Sequence, residues 1–211
     1  MKITWFGHAS FMIESDGKRI YIDPYIIPDN AEKADFILIS HEHYDHCDPK
    51  NVEKLSKAET KILTTEAAGK RLKGNVGVLK AGDTLSLNSI KVIAVEAYNP
   101  EKHFHPKGTG IGFIIEVENK RIYFCGDTDF IPEMYSLDNI DLALLAVGGT
   151  YTMNYEEAAK AVKAIKPKIA IPMHYGKIVG SVEDAIKFKE LVEKETDTKV
   201  VILSEGESFE L

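Results

Sequence analysis

The sequence predicts an α/β fold in which strands and helices alternate along one compact unit. The opening of the chain reads as strands, at residues 3–6, 11–14, 19–22 and 36–39, because short apolar runs there are bounded by turn residues. Helix signals begin only afterwards, at Asp48-Pro49 and at Thr65. The second half repeats the alternation, which indicates β-sheets flanked by helices.

Each element has its own local signal in the sequence. Asp16-Gly17 is typical of a hairpin turn between the second and third strands. Helices are predicted over residues 50–57 and 66–73, and strands at residues 76–79, 84–87, 90–97, 112–117 and 121–125. The remaining elements are a buried strand at 142–146, a helix over 155–165 capped by Asn154, a strand at 169–172, and a helix from Ser181 to about residue 195.

Length and composition favour a single domain over residues 1–211. The chain is 44% hydrophobic and contains no Pro/Gly/Ser-rich linker, low-complexity stretch or repeat. Its net charge of −7, without a run of Lys or Arg, argues against long nucleic acid as a partner. Because neither an apolar leader nor a run of about 20 apolar residues is present, we expect a cytoplasmic protein without a membrane span. A homo-oligomer is compatible with the sequence.

Residues 41–46, with the sequence HEHYDH, follow directly after the apolar strand predicted at 36–39. Neutral imidazole suits zinc, iron or manganese, and carboxylate suits the harder of these ions. In an extended loop His41 and His43 project to the same side, while Asp45 and His46 can face a second position nearby. The spacing therefore predicts that one short loop can serve two metal ions.

This motif and the segments that accompany it resemble the metallo-β-lactamase fold superfamily. The accompanying segments are WFGHAS at 5–10 with IDP at 22–24, YFCGDT at 123–128, GGTYTM at 148–153 and IPMHY at 171–175. They are most similar to the branch that includes L-ascorbate-6-phosphate lactonase and N-acyl-phosphatidylethanolamine phospholipase D. The resemblance implies a four-layer αβ/βα sandwich of two mixed β-sheets flanked by helices.

The resemblance also implies a binuclear metal site. His41, His43 and a third ligand would hold one ion, Asp45, His46 and His174 would hold the other, and Asp127 would bridge both. We expect two divalent ions, with zinc favoured and manganese or iron as alternatives. Two ions about 3.5 to 4 Å apart lower the pKa of a shared water toward neutrality, so the predicted nucleophile is a metal-bound hydroxide.

The third ligand of the first ion is the position where this chain departs from the superfamily pattern. Asn99 stands where a histidine is expected, and His103 and His105 follow it closely. His105 is favoured, because Pro106 restricts its backbone to an extended conformation and helps to fix the side chain. Asn99, His103 and a water molecule are the alternatives.

Two residues near the start of the chain are candidates for supporting roles. His8 is predicted to act in the catalytic pocket with Asp45 and Asp127, although a packed turn histidine explains it equally well. Asp23 could accept an N–H from a ligating imidazole and so fix its tautomer, or it could simply close an Asp-Pro turn. Either interpretation leaves the metal ligands unchanged.

The predicted function is metal-dependent hydrolysis of an ester-like bond in a small anionic substrate, with lactones ranked ahead of phosphodiesters. His103, Lys107 and Tyr151 are the predicted substrate contacts. A non-catalytic metal-binding or interaction protein is the alternative function. A di-iron redox protein on the same fold is disfavoured, because His43 stands where such an enzyme is expected to carry Glu, and no flavin domain accompanies the chain.

Overall fold

The computed structural model describes residues 1–87 and 89–211, which form two seven-stranded sheets packed face to face. The first sheet contains β1 (Lys2–Gly7), β2 (Ser10–Ser15), β3 (Lys18–Ile22), β4 (Phe36–Ile39), β5 (Lys61–Thr64), β6 (Asn75–Val78) and β14 (Ser208–Glu210). The second contains β7 (Thr84–Leu87), β8 (Ile90–Ala97), β9 (Gly110–Val117), β10 (Lys120–Phe124), β11 (Leu142–Ala146), β12 (Ile169–Met173) and β13 (Lys199–Val200). The helices are α1 (Pro49–Leu55), α2 (Glu66–Gly69), α3 (Tyr155–Ile165) and α4 (Val182–Glu195), with a 3-10 helix at Pro132–Ser136.

Both sheets are mixed. The first has the strand order β14-β1-β2-β3-β4-β5-β6, antiparallel from β14 to β3 and parallel from β3 to β6. The second has the order β13-β12-β11-β10-β9-β8-β7, parallel from β13 to β10 and antiparallel from β10 to β7. This arrangement confirms the predicted sandwich of two mixed sheets flanked by helices.

The apolar strands supply two cores because their side chains alternate between the faces of a sheet. In β3, Ile20 and Ile22 point into the core between the sheets, whereas Tyr21 packs on the outer face beneath α1 and α2. Phe11 of β2 meets Phe124 of β10 edge to face at 6.4 Å between ring centroids, which joins the two sheets. The hydrophobic core is therefore continuous across the interface between the sheets.

The helices begin where the sequence places their caps. Asp48 accepts hydrogen bonds from the backbone N–H groups of Lys50 and Asn51, and Asn154 forms a capping box with Glu157. Helices α3 and α4 bury Val162 and Phe188 against the second sheet. Within the described chain, no helix is both long enough and apolar enough to cross a bilayer.

Candidate metal centre

The candidate metal centre lies where the carboxyl ends of strands from both sheets meet. In the first sheet β1, β3 and β4 run in one direction, and in the second β8, β10, β11 and β12 do so. The loops after these strands carry His8, Asp23, His41, Asn99, Asp127 and His174. Two main-chain hydrogen bonds join the sheets at this edge: His174 N–H donates to the His8 carbonyl at 2.9 Å, and Ile111 N–H donates to the Ser40 carbonyl at 3.0 Å.

Two clusters of potential ligands form at this edge. The first cluster consists of His41, His43 and His105, and the second cluster consists of His8, Asp45, His46 and His174; a third group, His41, His46 and Asp127, links the two. In each cluster, one ring nitrogen or carboxylate oxygen from every member lies within 4.8 Å of the others. Each cluster draws members from both sheets, because His105 and His174 follow strands of the second sheet and the others follow strands of the first.

The 41–46 loop contributes side chains to both clusters because it turns sharply after His43. The His43 carbonyl accepts the N–H groups of His46 at 3.1 Å and Cys47 at 2.8 Å, which closes a turn. The turn brings the His46 ring back beneath His41, with 4.2 Å between ring centroids. The 41–46 loop therefore contributes His41 and His43 to the first cluster and Asp45 and His46 to the second.

Asp127 lies between the two clusters with one carboxylate oxygen toward each. Its Oδ1 is 3.3 Å from His46 Nε2 and 3.2 Å from His174 Nε2. Its Oδ2 is 3.3 Å from His105 Nε2 and 3.9 Å from His41 Nε2. This geometry suits a carboxylate that bridges two cations.

Asp23 and Ser40, both fully buried, orient the rings of His46 and His41. The Ser40 N–H and hydroxyl donate to the Asp23 carboxylate at 2.7 and 2.6 Å, and His46 Nδ1 is 2.7 Å from Asp23 Oδ2. Because the Ser40 hydroxyl hydrogen is used in this way, its oxygen is free to accept from His41 Nδ1 at 2.9 Å. Both rings therefore carry a hydrogen on Nδ1 and turn Nε2 toward the clusters.

Asn99 contacts the Nδ1 side of the His105 ring and is not itself a member of the first cluster. Its Oδ1 accepts the His105 backbone N–H at 3.0 Å and lies 2.8 Å from His105 Nδ1, while its own N–H donates to the His105 carbonyl at 2.8 Å. Its Nδ2 donates to the Tyr151 carbonyl at 3.1 Å. The structure thus brings His105 to the first cluster, with Asn99 orienting its ring, and leaves His103 exposed.

His8 is fully buried and contacts Asp45 directly, with 3.0 Å between its Nε2 and the Asp45 Oδ2. Burial lowers the pKa of His8 to about 4, although the hydrogen bond to Asp45 opposes this shift. Burial also works against ionisation of Asp45, but the His8 hydrogen bond and the charge on His46 outweigh it and lower the pKa of that carboxyl. A neutral His8 therefore donates its single N–H to an ionised Asp45.

The remaining pKa shifts in the centre follow from burial and from the central carboxylate. Burial disfavours ionisation of Asp127, yet the adjacent His174 and His46 hold its pKa well below the usual range. Burial likewise disfavours charging His46, but Asp127 and Asp23 raise its pKa well above the usual value. Burial lowers the pKa of His41 well below normal, with the His46 charge adding to the effect.

Buried nitrogen and oxygen atoms that lack hydrogen bonds indicate whether the residues of this centre fit a metal ion. His41 Nε2, His46 Nε2, His174 Nε2 and Asp127 Oδ1 are buried and make no well-oriented hydrogen bond to the described residues, although Asp127 Oδ1 lies 3.2 Å from His174 Nε2 and 3.3 Å from His46 Nε2. Each such atom costs about 1–3 kcal/mol when nothing satisfies it, so four that converge on one place need a common ligand. Nitrogen and oxygen donors without a thiolate suit zinc, manganese or iron. The residues present therefore fit a metal-binding centre.

Several residues of the centre hold unusual backbone conformations. His8, Asp23 and His174 have positive φ angles of 52°, 43° and 60°, a region that non-glycine residues seldom adopt. Strain of this kind clusters at functional sites, where the surrounding structure enforces it. Gly148 contributes in another way, since a Cβ atom there would overlap the carbonyl oxygen of His174. The GGTYTM segment therefore allows close approach to the loop that carries His174.

A cleft of about 270 Å³ opens onto the two clusters. Four of the residues that line the cleft belong to the candidate metal centre: His43, Asp45, His105 and Asp127. Its other lining residues are Tyr44, Phe104, Tyr151 and Ile178, which we call the apolar rim. Phe104 and Tyr151 meet edge to face, with 4.8 Å between their ring centroids.

The predicted substrate contacts differ in where they lie. Tyr151 lines the cleft, so its predicted role agrees with its position. Lys107 does not line the cleft: its ammonium is 2.7 Å from Glu133 Oε1 and lies over the Tyr98 ring. His103 is exposed and also stands apart from the lining residues. The positions of Lys107 and His103 therefore lend no support to the roles predicted for them.

Sequence reasoning missed Ser40 and three members of the apolar rim. Ser40 lies between the end of β4 and the 41–46 motif, and a hydroxyl directly before a ligating histidine is a usable signal. Tyr44, Phe104 and Ile178 come from separate loops. No local pattern predicts that such residues meet, because the fold alone brings their loops together.

The fold and the ligand clusters together define a metal-dependent hydrolase of the β-lactamase superfamily. A family model described as a beta-lactamase superfamily domain matches residues 2–174. A UPF0173 metal-dependent hydrolase from Methanopyrus kandleri is 34% identical over 100% of both chains. The chain therefore belongs to the UPF0173 family of metal-dependent hydrolases.

Solved structures agree with this assignment. A crystal structure of a protein from Parabacteroides distasonis has a TM-score of 0.87 and 39% identity, covering 95% of this chain and 91% of its own. Igni18, a metallo hydrolase from the hyperthermophilic archaeon Ignicoccus hospitalis, has a TM-score of 0.83 and 28% identity, covering 100% of this chain and 98% of its own. The similarity thus extends through both sheets.

Proposed function

We propose that the protein is a binuclear metal-dependent hydrolase that cleaves an ester-like bond. The observation that carries the proposal is the position of Asp127, whose two oxygens each lie within 3.9 Å of a histidine Nε2 in a different cluster. His41, His43 and His105 would hold one ion, and Asp45, His46 and His174 the other. Asp127 would bridge them.

When bound, two divalent ions supply an activated water near neutral pH and charge compensation for the attacking and leaving oxygens. Asp127 keeps the two ligand clusters at a fixed separation because each of its oxygens faces one of them. Asp45, kept ionised by His8 and His46, would help to hold the second ion and offers its carboxylate as an acceptor to a water beside it. His8 remains neutral near pH 7 because its pKa is about 4, and it holds the Asp45 carboxylate in place.

The type of bond is proposed from chemistry and resemblance. An open cleft beside a water-activating centre suits a small molecule with an exposed carbonyl or phosphoryl group. The resemblance of the WFGHAS and IPMHY segments to a branch with lactonases and phosphodiesterases favours lactones first and phosphodiesters second. An anionic group on the substrate would bind at the ions themselves, since Lys107 is engaged by Glu133.

Metal analysis combined with turnover tests this proposal. The purified protein, loaded with zinc, manganese or iron in separate preparations, is analysed for metal per chain and assayed on lactones and phosphodiesters. We expect close to two ions per chain and turnover of at least one substrate class. Trace metal after loading would contradict the metal site, and two ions without turnover would favour a non-catalytic metal-binding protein.

A further inference from the structure

We infer that the apolar rim is a subsite for an uncharged aromatic or bulky alkyl group next to the scissile bond. The inference rests on the proposed hydrolase function and names the class of substrate that the same centre would accept. It differs from the expectation that the substrate carries an anionic group, away from the scissile bond, that the protein binds. The class is a hydrophobic ester, lactone or phosphodiester whose only polar part lies at the reaction centre.

The first observation is the concentration of exposed apolar surface at one concave place. Eight large hydrophobic side chains are exposed in the described part of the chain, and four of them line this cleft. They are Tyr44 at 61%, Phe104 at 48%, Tyr151 at 37% and Ile178 at 37% exposed. Apolar side chains from separate loops that meet around a polar centre are typical of small-molecule sites.

The second observation is that lysines in the adjacent loops are each engaged by a carboxylate. Lys102 is 2.5 Å from Asp129, and Lys177, the neighbour of Ile178, is 3.1 Å from Glu205. Lys107 likewise contacts Glu133. Among the described residues that line the cleft, none is lysine or arginine. A carboxylate or phosphate on the far side of a substrate would lose water there without gaining a cation.

The third observation is the position of the rim relative to the centre. Tyr44 and Phe104 directly precede Asp45 and His105 in the chain, and all four residues line the same cleft. The Tyr151 carbonyl is held by Asn99, the residue that orients His105. A ring packed against the Phe104–Tyr151 pair would therefore lie in the same cleft as a bond placed at Asp127.

Two matched series of probes test the inference on the zinc-loaded protein. Lactones and phosphodiesters that each carry a methyl, a phenyl or a para-carboxyphenyl substituent are compared by kcat/KM. Binding of tetrahydrofuran and its phenyl and carboxyphenyl derivatives, which contain no scissile bond, is measured by calorimetry on the zinc-loaded protein and, for the rank of the carboxyphenyl derivative, on the metal-free protein, where no ion can bind the carboxylate. We expect roughly tenfold or greater preference for phenyl over methyl in kcat/KM, and the same order, with carboxyphenyl weaker than phenyl, in binding.

Variants of the rim connect this preference to particular side chains. Phe104→Ala should reduce the phenyl-over-methyl ratio to within about threefold, and Phe104→Lys should shift the preference toward the carboxyphenyl probes. Tyr135→Ala is the control, since Tyr135 is an aromatic side chain 70% exposed outside the cleft, and it should leave every ratio unchanged.

The outcomes separate this inference from the proposed function. Absence of turnover on every lactone and phosphodiester would overturn the hydrolase proposal, while the tetrahydrofuran series would still report on the rim. Equal binding of phenyl and unsubstituted tetrahydrofuran, or tighter binding of the carboxyphenyl derivative than of the phenyl derivative to the metal-free protein, would overturn the subsite even in an active enzyme. A phenyl preference that survives Phe104→Ala and Tyr151→Ala would also overturn it.

Discussion

The two ligand clusters differ in how firmly the fold holds them. In the second cluster His8 and His174 are buried at strand ends, and His46 is buried in the 41–46 loop, where Asp23 contacts it from behind. In the first cluster His43 is exposed, and His105 lies in the loop between β8 and β9. That loop places His105 through one side chain, Asn99.

The second cluster is the more preorganised half of the centre. A cluster built on strand ends needs little ordering when an ion binds, whereas one that includes an exposed side chain and a loop must lose conformational freedom. We therefore expect the second cluster to bind its ion more tightly than the first.

Asp127→Asn should have the largest effect because it alone serves both clusters. Replacing the carboxylate by an amide keeps the shape but removes the charge between two cations, so the ions repel each other and one is lost. We expect activity to fall by about a thousandfold or more and metal content to fall below two ions per chain. Circular dichroism should be unchanged, and Asp138→Asn, at an exposed ion pair with Arg121, is the matched control. Full occupancy with undiminished turnover would show that the bridge lies elsewhere.

His105→Ala should weaken the first ion selectively. Removing one of three histidines should lower affinity at that position by about a hundredfold and reduce kcat, while the second ion remains. Titration with a competing chelator would resolve the two affinities. His103→Ala is the control from the same loop, because His103 is exposed outside the clusters. Equal metal affinities in both variants and the parent would leave the third ligand to Asn99 or water.

Asn99→Ala should reproduce the His105 defect in weaker form. The ring would lose the acceptor 2.8 Å from Nδ1 that fixes its tautomer, so first-ion affinity should fall by about ten- to a hundredfold. Asn99→Asp keeps the acceptor but loses the N–H that reaches the Tyr151 carbonyl, and it should recover most of the affinity. A variant that loses stability without any change in metal affinity would reduce Asn99 to a structural role.

Raising the pH should widen the difference in affinity between the two ions. The pKa of His46 is raised well above its usual value, so this ring is protonated in the metal-free protein near neutrality and must lose a proton to bind. The pKa values of His41 and His105 are lowered, so these two rings are already neutral. Between about pH 6 and pH 8, second-ion affinity should therefore rise by up to about tenfold per pH unit, and first-ion affinity should rise less. Equal slopes measured by competition titration would contradict this assignment.

Much of the fold was predictable because local patterns and sheet pairing coincide in this chain. The turn at Asp16-Gly17 and the caps at Asp48 and Asn154 occur where the sequence indicates. Strand β5 was missed, since four residues followed at once by a helix cap give little periodicity. The helix predicted over 66–73 ends at Gly69.

Strands β13 and β14 could not be predicted from local sequence. They contain only two and three residues, and each pairs with a strand far away in the chain, at Ile169 and Ile3. The site shows the same limit. The 41–46 motif is local and readable, whereas the position of His105 depends on a side-chain contact within an irregular loop. The apolar rim depends on four loops that only the folded sheets bring together.

The edge at which hydrogen bonds join the two sheets has a consequence for folding. The hydrogen bonds from His174 to His8 and from Ile111 to Ser40 cross the same edge as both ligand clusters. Any ion held there would act as a cross-link between halves of the chain that are distant in sequence, and by mass action it would stabilise only the docked state. An opening that parts the sheets would release both ions together, so slow metal exchange would measure how seldom the two halves separate.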